Sequence, residues 1–371
     1  MGVRMLPSTT GRLACGTPPL SWLAVLLLAA LPVFPQTPKP IEGSSRPRPP
    51  QERPDTAQAE GRVQPGLPVF EFHSGFWLNL HHLLYQQARA VRDKAATKSP
   101  AESDKATLTP EEQRAWQESL DFYAISLAGQ DLLFNGDMVN IKNRLAEMEG
   151  ERDLEKSGLR PDLVSALERA APIYRTHWWQ THDQENRAWV AGVAPLVEQL
   201  GGGLSRKLAE VYQSKWPEGR IRVDVSHVAN WAGAYTSLDP LHITISSSAP
   251  ANQGLAALEI LFHEGSHALA GAARDEIVRE CRTRNKPIPR DLWHALIFYT
   301  TGEVVRRTLA DALHARQVNP PEKDYMPYAY RQGLYRRGWQ NYLRVLERHW
   351  LAYLDGDVEF DRAIARMVAS L

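Results

Sequence analysis

The chain has 371 residues, enough for one large domain or two modest ones. Lysine plus arginine equals aspartate plus glutamate at 43 each, so no net field draws the protein to nucleic acid or to an acidic membrane surface. Two cysteines, Cys15 and Cys281, exclude a disulfide framework.

At the N-terminus, Arg4 and Arg12 precede an apolar stretch, Trp22 to Leu31, that is short for a bilayer span and is broken by Pro32 and Pro35. Residues 1–36 are therefore expected to be an export signal, with an uncleaved N-terminal anchor as the alternative. Cys15 lies before the apolar stretch, the wrong order for a lipid-modified cysteine. Removal of the signal leaves Cys281 alone, which fits a periplasmic or secreted protein of a bacterial envelope better than a disulfide-dense secreted one. Residues 37–68 are rich in proline, glycine and charge, cannot bury enough surface to fold, and read as a tether. The folded part is expected to begin near Val69, and no internal repeat is present.

Helical periodicity then runs over 76–94, 110–127, 130–148, 161–174, 183–199 and 203–214. A polar loop, 101–109, separates the first two, and Gly150, Gly158 and Gly201-Gly202-Gly203 supply later breaks. The pattern changes at Arg220. Ile221, Val223 and Val225 alternate with Arg222 and Asp224, the period of a half-buried strand, and Leu241, Ile243 and Ile245 alternate with His242, Thr244 and Ser246 in the same way. Ser247-Ser248-Ala249-Pro250 suits a helix start, and helical patterns continue over 255–271, 290–312, 334–353 and 357–370. The expected fold is mostly α with a small β-sheet (α+β), divided into a helical lobe, 69–215, and a second lobe, 216–371.

The run His263-Glu264-Gly265-Ser266-His267 falls inside the 255–271 helix. Positions i and i+4 share a helical face, so both imidazoles can hold one metal ion, and Glu264 is placed to take a proton from water activated there. Leu255, Leu258, Ile260, Leu261, Phe262, Ala268 and Leu269 make the helix apolar on nearly every side, as in a domain core. Two histidines and a glutamate in such surroundings need partners, and a metal supplies one for all. The competing reading is two satisfied core histidines with a surface glutamate between them.

A short sheet leading into a buried H-E-x-x-H helix resembles the zincin metallopeptidases, over about 90 residues from Arg220 to Arg307. The resemblance implies one zinc ion per chain, a strand beside the active helix that binds extended peptide, here Leu241 to Ser246, and a third protein ligand. Ala270 and Ala273 stand where the metzincin branch has glycine and histidine, which removes that branch. The gluzincin branch implies a glutamate from a later helix, and Glu303 matches it best, on a stripe with Leu292, Leu296 and Tyr299. Gly302 and Arg307 depart from the asparagine and aspartate that flank the glutamate in thermolysin-like members. An ion pair of Glu303 with Arg306 or Arg307 is the alternative, and Asp275, Glu276 and Glu280 compete as third ligand. His294 shares the helix of Glu303 but not its face and reads as a packing or cleft residue.

Tyr328 and Tyr330, in a proline-broken aromatic stretch, are candidates to donate to the oxyanion formed when water attacks a carbonyl. His73, His81 and His82 read as core or cleft residues rather than a second metal site, and Trp178 and Trp179 as core anchors. No phosphate loop, G-x-S-x-G elbow or cysteine–histidine pair stands out. The expectation is an exported zinc metallopeptidase acting on peptide or protein, with metal ligands His263, His267 and Glu303, base Glu264, no nucleic-acid partner and no membrane insertion beyond the N-terminal signal or anchor. A zincin-like binding or scaffold protein of the envelope, without turnover, is the alternative.

Overall fold

The two alternating segments form strands, and both lie in the middle of a four-stranded sheet. The computed structural model describes residues 69–92, 107–314 and 325–371. The expected export signal and tether, and residues 101–106 of the expected polar loop, lie outside them. Strands β1 (Phe70–His73), β2 (Ile221–Ser226), β3 (Ala234–Leu238) and β4 (Leu241–Ser246) are ordered β1-β2-β4-β3. The first, second and fourth run parallel, and β3 pairs antiparallel with β4. Leu241–Ser246 is therefore an interior strand, which corrects the expectation of an edge strand there. The edge beside it is β3, whose residues Ala234 to Ser237 are themselves buried.

One sheet face carries Ile221, Val223, Val225, Ile243 and Ile245 into the larger apolar core. The polar face, expected to meet solvent, is buried too. Asp224, His242 and Thr244 are all at most 3% exposed. Asp224 and His242 avoid the cost of buried polar groups by pairing: Arg222 grips Asp224, and His242 contacts the same carboxylate, while nearby Lys142 Nζ donates to Ser237 Oγ at 2.5 Å.

Helices α1 (Phe76–Arg92), α2 (Pro110–Ser126), α3 (Gly136–Glu147) and α4 (Pro161–His177) supply most of a second apolar core, which meets the sheet at Tyr235. Thr109 and Glu112 form a reciprocal cap at the start of α2, satisfying two backbone N–H groups that the helix leaves over. Helix α5 (Trp179–Val211) runs unbroken through Gly201-Gly202-Gly203, against the expected break. Val197, Leu200, Leu204, Leu208 and Val211 keep one buried stripe across the glycines, and that burial outweighs their poor helix propensity.

Helices α6 (Leu255–Ser266), α7 (Gly271–Thr283), α8 (Leu292–His314) and α9 (Tyr328–Arg331) follow the sheet, then α10 (Gln340–Val345), a π-helical turn at Leu346–Trp350, α11 (Leu351–Leu354) and α12 (Phe360–Ser370). The fold is mostly helical with a small mixed sheet, as expected. The two cores do not divide at residue 215: β1 joins the sheet, and α5 from Trp189 onward packs into the core of the α6–α12 half. Among the described residues no helix is long and apolar enough to cross a membrane.

Candidate metal centre

Helix α6 is buried along its whole length from Ala256 to Ser266 and ends where the motif ends, with His267 as its C-cap. A tight turn follows, then α7, so the helix expected to reach residue 271 stops one turn short. The glycine of the motif marks a close approach. A Cβ on Gly265 would stand 2.8 Å from the Trp216 ring, closer than carbon atoms tolerate.

The rings of His263 and His267 are 5.1 Å apart, centre to centre. The third ring beside them belongs to His294, in the first turn of α8, at 5.3 Å from each. One donor nitrogen from each of the three lies within 4.8 Å of the other two. This near-equilateral triangle has the size of a metal cage. An ion about 2.0–2.1 Å from each nitrogen stands roughly 3.2 Å from each ring centre, and tetrahedral angles then separate the centres by about 5.2 Å. Such a cage needs its nitrogens about 3.4 Å apart, and the three donors lie within 4.8 Å of one another.

The chemistry of the donors agrees with the geometry. Burial, together with His267 and His294, pushes the His263 pKa well below its ordinary value. Burial alone brings His267 to about 4, and burial followed by the charge of His267 brings His294 to about 3. Three imidazoles are thus held neutral, the form that ligates metal. His263 Nδ1 is buried without a hydrogen-bond partner among the described residues. The surrounding wall is aromatic: Phe298 stacks on His263 at 3.7 Å, Trp293 on His294 at 5.2 Å, and Trp339 meets His294 edge-on. An apolar shell of this kind keeps water from competing for the ligands.

Glu303 is elsewhere. It lies nine residues after His294 on the same helix, about 13 Å along the axis. Its carboxylate accepts hydrogen bonds from Arg306 at 2.7 and 3.1 Å and has Arg307 at 3.5 Å. Glu303 is therefore not beside His263 and His267, which corrects its expected place as third ligand; the group brought there is the His294 imidazole. Periodicity placed Glu303 on the stripe with Leu292, Leu296 and Tyr299, but the face of α8 that meets α6 near its start carries His294 and Phe298. Glu276 and Glu280 are taken up by Arg279 and Arg284, and Asp275 is exposed on α7.

Glu264 is 6% exposed, and burial pushes its carboxyl up to about 7 against a lowering hydrogen bond from Thr236. Thr236 Oγ1 donates to Glu264 Oε2 at 2.6 Å, and the same oxygen is 4.0 Å from His267 Nε2. Thr236 was not visible in the sequence as a site residue, because β3 itself was not predicted.

The two tyrosines part company. The Tyr330 hydroxyl donates to Glu347 at 3.0 Å, so it is engaged away from the histidines, which corrects its expected place beside the site. Tyr328 stacks on Phe298 at 5.9 Å with planes 11° apart, and Phe298 in turn lies on His263. Burial and then the charges of Glu264 and Glu259 raise the Tyr328 pKa, so its phenol shares the electrostatic neighbourhood of the site.

Of the other histidines singled out in the sequence, His81 and His82 are core residues and His73 is half-buried. His81 pairs with the Tyr123 hydroxyl, and His82 with Leu78 O and the Tyr235 hydroxyl. His73 pairs with Glu149, and Trp178 packs on Trp116. Three histidines around one point, a buried carboxylate alongside and an aromatic wall together form a site able to hold a metal ion. Comparison with protein-family models, with curated proteins and with solved structures gave no match for this chain.

Proposed function

We propose that the protein is a zinc-dependent hydrolase, a metallopeptidase in which His263, His267 and His294 hold the ion and Glu264 is the general base. The observation that carries this reading is the triangle of three neutral imidazoles with a buried carboxylate beside it. Zinc is favoured by the donor set, since three imidazoles with one position open is a recurrent catalytic zinc arrangement. When bound, such an ion supplies a Lewis acid that polarises a carbonyl and acidifies water.

Glu264 takes the proton of the attacking water and later delivers it to the leaving amine. Its burial beside the histidines, with Oε2 4.0 Å from His267 Nε2, places the carboxylate within reach of both transfers. Thr236 orients that carboxylate through its hydroxyl. Tyr328 offers a phenol to the oxygen on which negative charge develops. Peptides or proteins are the proposed substrates, and the cell envelope or the medium the proposed location.

The test pairs metal analysis with turnover. Freshly purified protein is expected to carry about one zinc per chain and to cleave members of a mixed peptide library in a chelator-sensitive way. Glu264→Gln is expected to keep the zinc and lose activity by about 10²–10⁴-fold. Equal turnover by that variant would refute the assignment of the base, and zinc retained without any turnover in the wild type would favour an envelope binding protein.

A further inference from the structure

One buried carboxylate near the site is unused by the reading above. Glu259 is fully buried on α6, one turn before His263 and on the same side of the helix. It reaches into the segment that leads into α9. Tyr325 Oη donates to Glu259 Oε2 at 2.6 Å, and the backbone N–H of Tyr328 donates to both carboxylate oxygens, at 3.0 and 2.9 Å. The same segment presses on α8: a Cβ added at Gly302 would lie 2.7 Å from Pro327 and 3.2 Å from Glu259 Oε1. Here glycine is what permits the approach.

These contacts bear on Tyr328. Its amide is tied to Glu259, its ring stacks on Phe298, and Phe298 stacks on His263. The carboxylate thus ties down the backbone that carries the phenol. A carboxylate kept in an apolar core is costly unless several donors meet it, and here the donors are a phenol and a backbone amide of one short segment.

We infer that Glu259 is a positioning residue that acts through Tyr328, holding the 325–331 segment against α6 so that the Tyr328 phenol faces the metal centre. The inference rests on the hydrolase reading for its kinetic consequence, but its structural part stands independently of turnover.

Two variants separate reach from charge. Glu259→Gln keeps the length and an acceptor oxygen for the Tyr328 amide, while Glu259→Asp keeps the charge and withdraws the acceptor by one methylene. Both are measured as zinc-loaded full chains, with zinc content, kcat and KM determined. Glu259→Asp is expected to keep its zinc and KM within about 2-fold and lose kcat by about 10-fold or more, a fraction of what one oxyanion donor contributes. Glu259→Gln is expected within about 3-fold of wild type. In a Tyr328→Phe background, Glu259→Asp should add less than about 2-fold, since both changes remove the same contribution. Wild-type kcat in Glu259→Asp, effects that multiply with Tyr328→Phe, or the reverse order of the two variants would overturn the inference.

If the wild type shows no chelator-sensitive hydrolysis, the metallopeptidase reading fails, and amide hydrogen exchange decides the positioning role by itself. The Tyr328 amide is then expected to exchange at least about 10-fold faster in Glu259→Asp, with the Phe262 and His263 amides unchanged. Equal exchange at Tyr328 would overturn it.

Discussion

Replacing His294 tests the assignment that the tertiary structure makes and the sequence pattern did not. The three ring separations of 5.1, 5.3 and 5.3 Å leave no ligand peripheral, so each is expected to carry a similar share of the affinity. Four-ligand zinc sites bind with about 10–16 kcal/mol, which is roughly 2.5–4 kcal/mol per ligand. At about 1.4 kcal/mol per decade, His294→Ala should weaken zinc binding by about 10²–10³-fold. Glu303→Ala should leave affinity within about 3-fold, because that carboxylate is held by Arg306 and Arg307 about 13 Å along α8 from His294. Competition titration against a chromophoric chelator, with metal content measured by mass spectrometry, reads both. Wild-type affinity in His294→Ala, or loss of zinc in Glu303→Ala with His294 intact, would refute the reasoning.

Other outcomes follow from buried groups away from the ligands. Burial raises the Glu259 pKa from 4.5 to about 7, so the folded protein binds more protons than the unfolded chain between those values and this contribution to stability declines as pH rises through the window. The stability of Glu259→Gln relative to wild type should therefore grow, by on the order of 3 kcal/mol between pH 4.5 and 8, and urea unfolding of the metal-free proteins at the two pH values measures it; a constant difference would contradict the argument. Lys142 is fully buried, with burial lowering its pKa to about 7, and Lys142→Met should be neutral or stabilising by about 1–2 kcal/mol at pH 6 by thermal or urea unfolding. A loss above about 2 kcal/mol would show that the Ser237 bond and the nearby Asp224 outweigh the cost of burying the ammonium. Gly265→Ala should destabilise by about 1–3 kcal/mol, since the new methyl meets Trp216 inside normal contact distance, and Gly265→Ala with Trp216→Leu should recover part of the loss.

Much of the fold was legible because its signals are local. The 3.6-residue period located α1, α2, α4, α8 and α12, and the two-residue period located β2 and β4. The four-residue pairing of His263 and His267 follows from helix geometry alone, and so does the place of Glu264 between them. Short elements escaped notice: β1 and β3 have four and five residues, too few to show a period. The glycine run in α5 misled in the other direction, because a helix anchored by buried leucines on both sides tolerates residues that would break it alone.

By itself, then, the amino-acid sequence determined the fold class, the two histidines one helical turn apart and the carboxylate beside them, since each depends on neighbours a few residues apart. Only the tertiary structure decided that His294 rather than Glu303 completes the triangle, that β3 rather than β4 lies at that sheet edge, and that Tyr328 rather than Tyr330 stacks on the aromatic wall of the site. Those choices turn on where α8 crosses α6 and how the segment before α9 returns to Glu259. Such crossings are set by long-range packing of whole helix faces, which no short window of residues contains.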